Sequence, residues 1–190
     1  MSTNPHERTR GRPHSVDVEH AVYAETLRLV AMGTAPALTR RAIADGAGVS
    51  RQTLYNRWLT VGDIVLDALM AQAERTIGVN PNDLGLRGYL TDLAESVNGW
   101  ARPGLRYIVA AALLDTDFAA RLRSRFLNER HGRLQAAVAD ERPLASEQVG
   151  AVAEVIAATM WYRIVIVDER LDEQWIDAMC ALADTTTRQR

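Results

Sequence analysis

The sequence predicts an all-α protein, with an N-terminal three-helix unit containing a helix-turn-helix and a longer helical body behind it. Three observations carry that prediction. Apolar residues recur at helical spacing along nearly the whole chain. Glycine, proline and asparagine gather at a few points between those stretches. Two short helical stretches near the start hinge at Gly48 with the spacing of a helix-turn-helix. The 190 residues suffice for one compact domain or two small ones sharing a core, and a composition 47% hydrophobic and 24% charged is that of an ordinary globular chain.

The elements follow in order. Residues 1–14 lack apolar periodicity and contain Pro5 and Pro13, which makes them a flexible basic arm. Ser15 or Asp17 stands where a cap is favoured, ahead of a helix with Val18, Val22, Leu27, Leu29 and Val30 near helical spacing; Gly33 and Pro36 stop it. Thr39 precedes a short helix over residues 40–47, with Ala42, Ile43 and Ala47 to one side. Gly48 follows it, where the left-handed backbone of a helix end favours glycine. Ser50 caps a third helix ending near Trp58. Thr60 and Asp63 form a capping box for a fourth, residues 61–77, which connects to the second domain. Gly78, Asn80, Pro81 and Asn82 interrupt any helix. Further helices are expected at residues 83–100, 104–114, 117–139, 147–167 and 172–185, the first two separated at Arg102-Pro103-Gly104. Residues 160–167 are β-branched enough to imitate a strand, but an alanine-rich lead-in and the lack of a partner strand assign them to a buried helix. The division is an arm at 1–14, a helix-turn-helix domain at 15–60 and a helical body at 61–190.

The net charge of −2 hides an asymmetry. Residues 1–60 hold eight arginines against five acids, and residues 61–190 hold fourteen against nineteen. The basic first part suits a polyanion; the acidic second part does not. Cys180 is the single cysteine, which excludes an internal disulfide and a cysteine-based zinc site. His6, His14, His20 and His131 lack metal-ligand spacing, so neither a metal nor a cofactor is expected. No apolar run approaches the roughly 18–20 residues needed to cross a bilayer. The polar, basic start has no apolar centre of a secretory signal. No membrane partner and a cytoplasmic location are the expectations.

Within residues 39–58, Ile43, Ala47, Val49, Leu54 and Trp58 supply a small shared core. This is the plan in which the second helix enters the major groove of double-stranded DNA. Leu54 and Trp58, four residues apart, face inward. At 3.6 residues per turn Gln52 and Asn56 point nearly opposite, with Thr53 and Tyr55 on the flanks and Arg51 leading. Glutamine and asparagine can bond adenine through two atoms, and arginine can bond guanine. Ser50 and the helix N-terminus suit a phosphate oxygen, and Arg40 completes the candidate set. Arg10-Gly11-Arg12-Pro13 has two readings: an arm entering a narrow minor groove, or an ordinary solvated terminus.

Thr39, Ile43-Ala44, Ala47-Gly48-Val49-Ser50, Thr53-Leu54-Tyr55 and Trp58 stand in the order and register of the TetR family of bacterial regulators, which the chain resembles over about a third of its length. The resemblance implies phosphate contacts from Thr39, Tyr55 and Arg57, and base reading by Arg51, Gln52 and Asn56. Val61 departs from the family, which commonly has a lysine there, so one phosphate contact is missing. Pro103-Gly104-Leu105-Arg106, Asp115-Thr116-Asp117-Phe118-Ala119, Arg125-Phe126-Leu127, Trp161-Tyr162-Arg163 and Leu171-Asp172-Glu173 are similar to one class of the family's C-terminal regulatory domains. By resemblance, the last two long helices pair with a second copy, two recognition helices meet a palindromic operator, and a small-molecule effector binds among the central helices. Trp100, Tyr107, Phe118, Met160, Trp161 and Tyr162 are the bulky residues available to line that pocket.

The expected function is a ligand-responsive repressor acting as a homodimer. An activator, a regulator without a ligand, and an all-α enzyme are the alternatives. For the enzyme, Asp168-Glu169 with Asp172-Glu173 could be imagined as a carboxylate site, but adjacent acids at an interhelical turn are usually a solvated cap. Ser50 and Ser124 have no histidine nearby in sequence, and no phosphate-cradling glycine loop is present. No catalysis is expected.

Overall fold

The structure, a computed structural model, describes residues 15–33, 38–76, 85–141 and 145–185. The expectations for the arm (with Arg10 and Arg12), for Pro36 and for the interruption at Gly78, Asn80, Pro81 and Asn82 lie outside the described residues. Among the described residues every regular element is helical. In chain order they are α1 (Ser15–Ala31), α2 (Arg40–Ala47), α3 (Arg51–Arg57), α4 (Val61–Thr76), α5 (Gly85–Ser96), α6 (Arg102–Leu114), α7 (Thr116–Leu122), α8 (Asn128–Glu141), α9 (Ser146–Trp161) and α10 (Glu173–Thr185).

α4 is the axis of the molecule. Ile64, Val65, Leu66, Ala68 and Leu69 are all buried, so apolar side chains surround the helix instead of forming one stripe, which demands neighbours on several sides. α1, α6 and α7 provide them. Two glycines allow the close crossings. A Cβ at Gly62 would lie 2.9 Å from the Phe118 ring of α7, and one at Gly104 of α6 would lie 2.8 Å from a Leu69 methyl. Further along, α5 packs on α8 and α10, and α8 on α9. One continuous apolar core joins Val22 of α1 to Ala183 of α10.

Two expectations are corrected. Arg102-Pro103-Gly104 does not separate two helices. A π-helical turn, Val97–Ala101, links α5 to α6, and the Arg102 N–H bonds back five residues to the Val97 carbonyl. This wider turn lets the helical backbone meet Pro103, which has no N–H and would clash in a continuous α-helix, at the first turn of α6. Similar turns, Arg123–Leu127 and Tyr162–Val167, follow α7 and α9. The second correction concerns apolar length. Ser146–Val167 forms one helical stretch of 22 residues, long and apolar enough by composition to cross a membrane. Little of it is buried within the chain. Val155, Tyr162, Ile166 and Val167 lie on its outward side.

Candidate nucleic-acid interface

The helix-turn-helix is closed by side chains at each junction. Thr39 Oγ1 accepts the Ala42 N–H at 3.1 Å, capping α2. Gly48, at φ 66°, ends α2 in the left-handed conformation that glycine adopts without a Cβ penalty. Ser50 Oγ accepts the Thr53 N–H at 3.1 Å and lies 2.8 Å from Thr53 Oγ1, capping α3. Leu54 is fully buried and Trp58 nearly so. Their burial turns the opposite face outward: Arg51, Gln52, Tyr55, Asn56 and Arg57 are exposed, and Thr53 is half-buried. Gln52 Nε2 donates to Asn56 Oδ1 at 2.7 Å, so the two amides form one hydrogen-bonded unit on the exposed surface.

Two candidate contacts are engaged within the chain. Arg40 Nη2 donates to the Trp58 carbonyl at 3.0 Å and to that of Leu59, and its guanidinium sits 4.3 Å from the centre of the Tyr55 ring. It thereby satisfies carbonyls left over at the end of α3 and fixes the Tyr55 ring. Arg57 Nη1 meets Glu19 of α1 at 2.7 Å.

Behind α3 lie connections to the body. Trp58 Nε1 donates to Asp67 of α4 at 2.8 Å, and its ring meets Tyr23 edge-on at 6.1 Å. Burial, with Asp67 and Glu19 nearby, pushes the Tyr23 phenol up to about 12, so it stays protonated. The other Asp67 oxygen accepts from Arg125 at 2.6 Å. One turn earlier, Asp63 accepts from the Thr60 N–H and hydroxyl, completing the expected capping box, and from Arg121 at 2.8 and 3.1 Å. Burial raises the Asp63 carboxyl, but the Arg121 and Thr60 bonds outweigh it and hold the group below its ordinary range. The matching four-residue spacing of Asp63 with Asp67 and of Arg121 with Arg125 is the sequence signal for this double link.

A largely apolar cavity of about 350 Å³ lies among α4, α5, α6, α8 and α9. Trp100, Met160 and Trp161 line it; Tyr107, Phe118 and Tyr162 do not. Phe118 is buried against Gly62 and Arg121. Tyr107 is two positions beyond the lining residue Leu105, roughly 200° around α6. Tyr162 is one position past Trp161 and 56% exposed on the outer side. The acids near the end of α9 bind arginines: Asp168 meets Arg102 and Arg106, while Glu169 and Asp172 meet Arg163. That tie anchors α10 and α6 to the end of α9, which is a structural use for these carboxylates.

The family model described as "Tetracyclin repressor-like, C-terminal domain" matches residues 84–183, more than half of the chain. A Bacillus subtilis (strain 168) protein named as an uncharacterized HTH-type transcriptional regulator, YdeS, is 22% identical over 176 residues, 88% of each chain. Two rice sequences named as TATA box-binding protein-associated factors of RNA polymerase I, from Oryza sativa subsp. indica and japonica, are each 30% identical over 102 residues. Those matches span 54% of this chain and 14% of theirs. The helix-turn-helix lies ahead of the matched C-terminal segment, and the chain belongs to the TetR family of DNA-binding transcriptional regulators.

Proposed function

We propose that this protein is a ligand-responsive repressor that binds a palindromic operator as a homodimer, with residues 15–60 as the DNA-binding domain and 61–190 as the ligand-binding and dimerisation domain. The observation that carries this reading is the exposed Gln52–Asn56 amide pair on a helix capped at both ends. Held together, the two amides offer adenine paired donors and acceptors, with Arg51 free to reach a guanine. Thr39, Ser50, Thr53, Tyr55 and Arg57 surround them as hydroxyl, phenol and guanidinium groups suited to phosphates, which set register without reading sequence. Arg40 acts on DNA indirectly, by orienting Tyr55.

The outward side of α9 supports dimerisation. Val155, Tyr162 and Ile166 form an apolar stripe left largely uncovered by their own chain, the kind of surface a second copy covers. Paired in this way, two α3 helices would reach successive major grooves about 34–36 Å apart. Ligand control runs through the turn Arg123–Leu127. Arg123, Phe126 and Leu127 line the cavity, while Arg125 bonds Asp67, which holds Trp58 at the end of α3. A ligand favouring one arrangement of that turn shifts the population of α3 positions, and DNA must then oppose the ligand reciprocally. Acting on DNA, the protein would work in the cytoplasm.

Retardation of the DNA upstream of its own gene tests the reading. Affinity should fall steeply with salt as phosphate contacts release counterions. Asn56→Ala should cost about 1–3 kcal/mol on the preferred sequence and little elsewhere, whereas Tyr55→Phe should weaken all sequences alike. A dimeric sample without sequence preference would overturn it.

A further inference from the structure

The cavity carries information about the chemistry of its occupant. Its lining is mostly hydrocarbon and aromatic, and it contains no aspartate or glutamate among the described residues. Arg123, Arg130 and His131, by contrast, all reach it from one side. They are spaced seven and eight residues apart along the Arg123–Leu127 turn and α8, which puts them on one helical face with the lining residues Leu127 and Leu134.

Arg130 differs from the other half-buried arginines described in the body. Arg102, Arg106, Arg121, Arg125, Arg133 and Arg163 each meet a carboxylate. Arg130 is half-buried, with its guanidinium 5.2 Å from the Phe126 ring, and no described carboxylate stands within ion-pair distance of it. It stands on the partition between the cavity and a smaller cleft lined by Glu74, Glu129 and Arg133, where Glu129 is already bound to Arg133. Burial, reinforced by the like charge of Arg133, holds the Arg130 guanidinium below the usual arginine range. Glu129 and Glu74 offset part of this from the side of the cleft, and an anion brought to Arg130 from the cavity recovers more of the cost of its burial.

We propose that the cavity takes a small organic acid, whose carboxylate is held by Arg130 while its apolar body packs against Trp100, Met160 and Trp161. This rests on the reading of the cavity as the effector site. The volume, near the lower end of the roughly 300–1,000 Å³ of small-molecule sites, limits the occupant to a compact ring system or a medium-length chain. The guanidinium fork suits a planar carboxylate through two parallel bonds, and the surrounding hydrocarbon strengthens that pairing by excluding water.

Isothermal titration calorimetry on the full chain tests this with two acids and their neutral counterparts: 1-naphthoate with 1-naphthalenemethanol, and octanoate with 1-octanol. Each acid should bind at least about tenfold more tightly than its alcohol. Arg130→Gln should bring acid and alcohol within about twofold of each other while leaving the alcohols unchanged, and Arg133→Gln, outside the cavity, should keep the preference. If Arg130→Gln does not fold, Arg130→Lys, which keeps the charge and loses the fork, should retain part of it. Equal binding of acids and alcohols to the unaltered protein would overturn the acid and leave the effector site standing. Failure of all four probes at millimolar concentration would overturn the cavity as an effector site as well.

Discussion

Thr39, Gly48 and Ser50 close α2 and α3 within a short stretch of chain, and Arg40 closes the far end of α3. The body behind them is built differently. The turns Val97–Ala101, Arg123–Leu127 and Tyr162–Val167 widen helices that are already under way, and the first two border a cavity of about 350 Å³. A π-helical turn shares its hydrogen bonds over a wider ring and frequently sits at a functional site. Caps and the buried Leu54 and Trp58 hold the helix-turn-helix locally, whereas the body retains unfilled space beside its wider turns. A reader of base edges requires the first property, since amides misplaced by an ångström lose their bonds. The ligand response proposed above requires the second, because a ligand can shift only a structure with more than one arrangement available.

The largest test of this contrast compares two leucines. Leu54→Ala removes a fully buried side chain from the small recognition unit and should cost about 4 kcal/mol. Leu105→Ala removes one that already borders the cavity and has fewer neighbours to lose, so about 2 kcal/mol is expected. Hydrogen exchange should show α2 and α3 opening in the first variant and α6 in the second, with DNA binding lost only in the first. Equal costs, or the same amides exposed in both, would break the comparison.

The link between the regions comes next in size. Asp63→Asn leaves Thr60 and Arg121 competing for an amide that cannot accept all their bonds, a loss of about 2–3 kcal/mol. The pH dependence has a definite sign. Asp63 is depressed in the folded state, so its stabilisation is fully present above the ordinary aspartate value of about 3.9 and disappears as pH falls through the lower folded value. Thermal unfolding of the unaltered protein should therefore decline more steeply below about pH 4 than that of Asp63→Asn. Parallel declines would remove Asp63 from the link.

How much of this is legible in the sequence follows the range of the interactions. Thr39, Gly48, Ser50 and the Thr60–Asp63 box are caps whose partners lie within a few residues, so spacing alone identifies them. The bonds of Arg40 to the Trp58 and Leu59 carbonyls are not legible, because those partners lie 18 and 19 residues away, where periodicity carries no information. Pro103 reads as a break because a local rule ends helices at proline. The i→i+5 turn ahead of it supplies the slack that the rule omits. Tyr107 and Tyr162 miss the cavity on register: bulk names a candidate, but one or two positions along a helix rotate it to another face. Arg130 is silent in the sequence because its meaning depends on which carboxylates stand around it, and only the folded chain shows which acids are near.

The smallest expected effect is the most specific to the connection between the two regions. Arg125 is 42% exposed, so its pair with Asp67 adds little stability, and Arg125→Gln should move the unfolding temperature only slightly. Its consequence lies in Asp67, which shares one carboxylate between Arg125 and the Trp58 indole. Without the arginine, Asp67 is free to rotate, and the end of α3 loses a fixed reference to the body. If the carboxylate transmits position, Arg125→Gln and Trp58→Phe remove parts of one connection, and their effects on DNA affinity should fail to add by about 0.5–1 kcal/mol in a double-mutant cycle. Residues in separate mechanical units add to within about 0.3–0.5 kcal/mol. Additivity here would leave no path through Asp67 between the helix-turn-helix and the body, and the coupling proposed above would have to run through the Asp63–Arg121 pair or through α1, which packs on α2, α4 and α6.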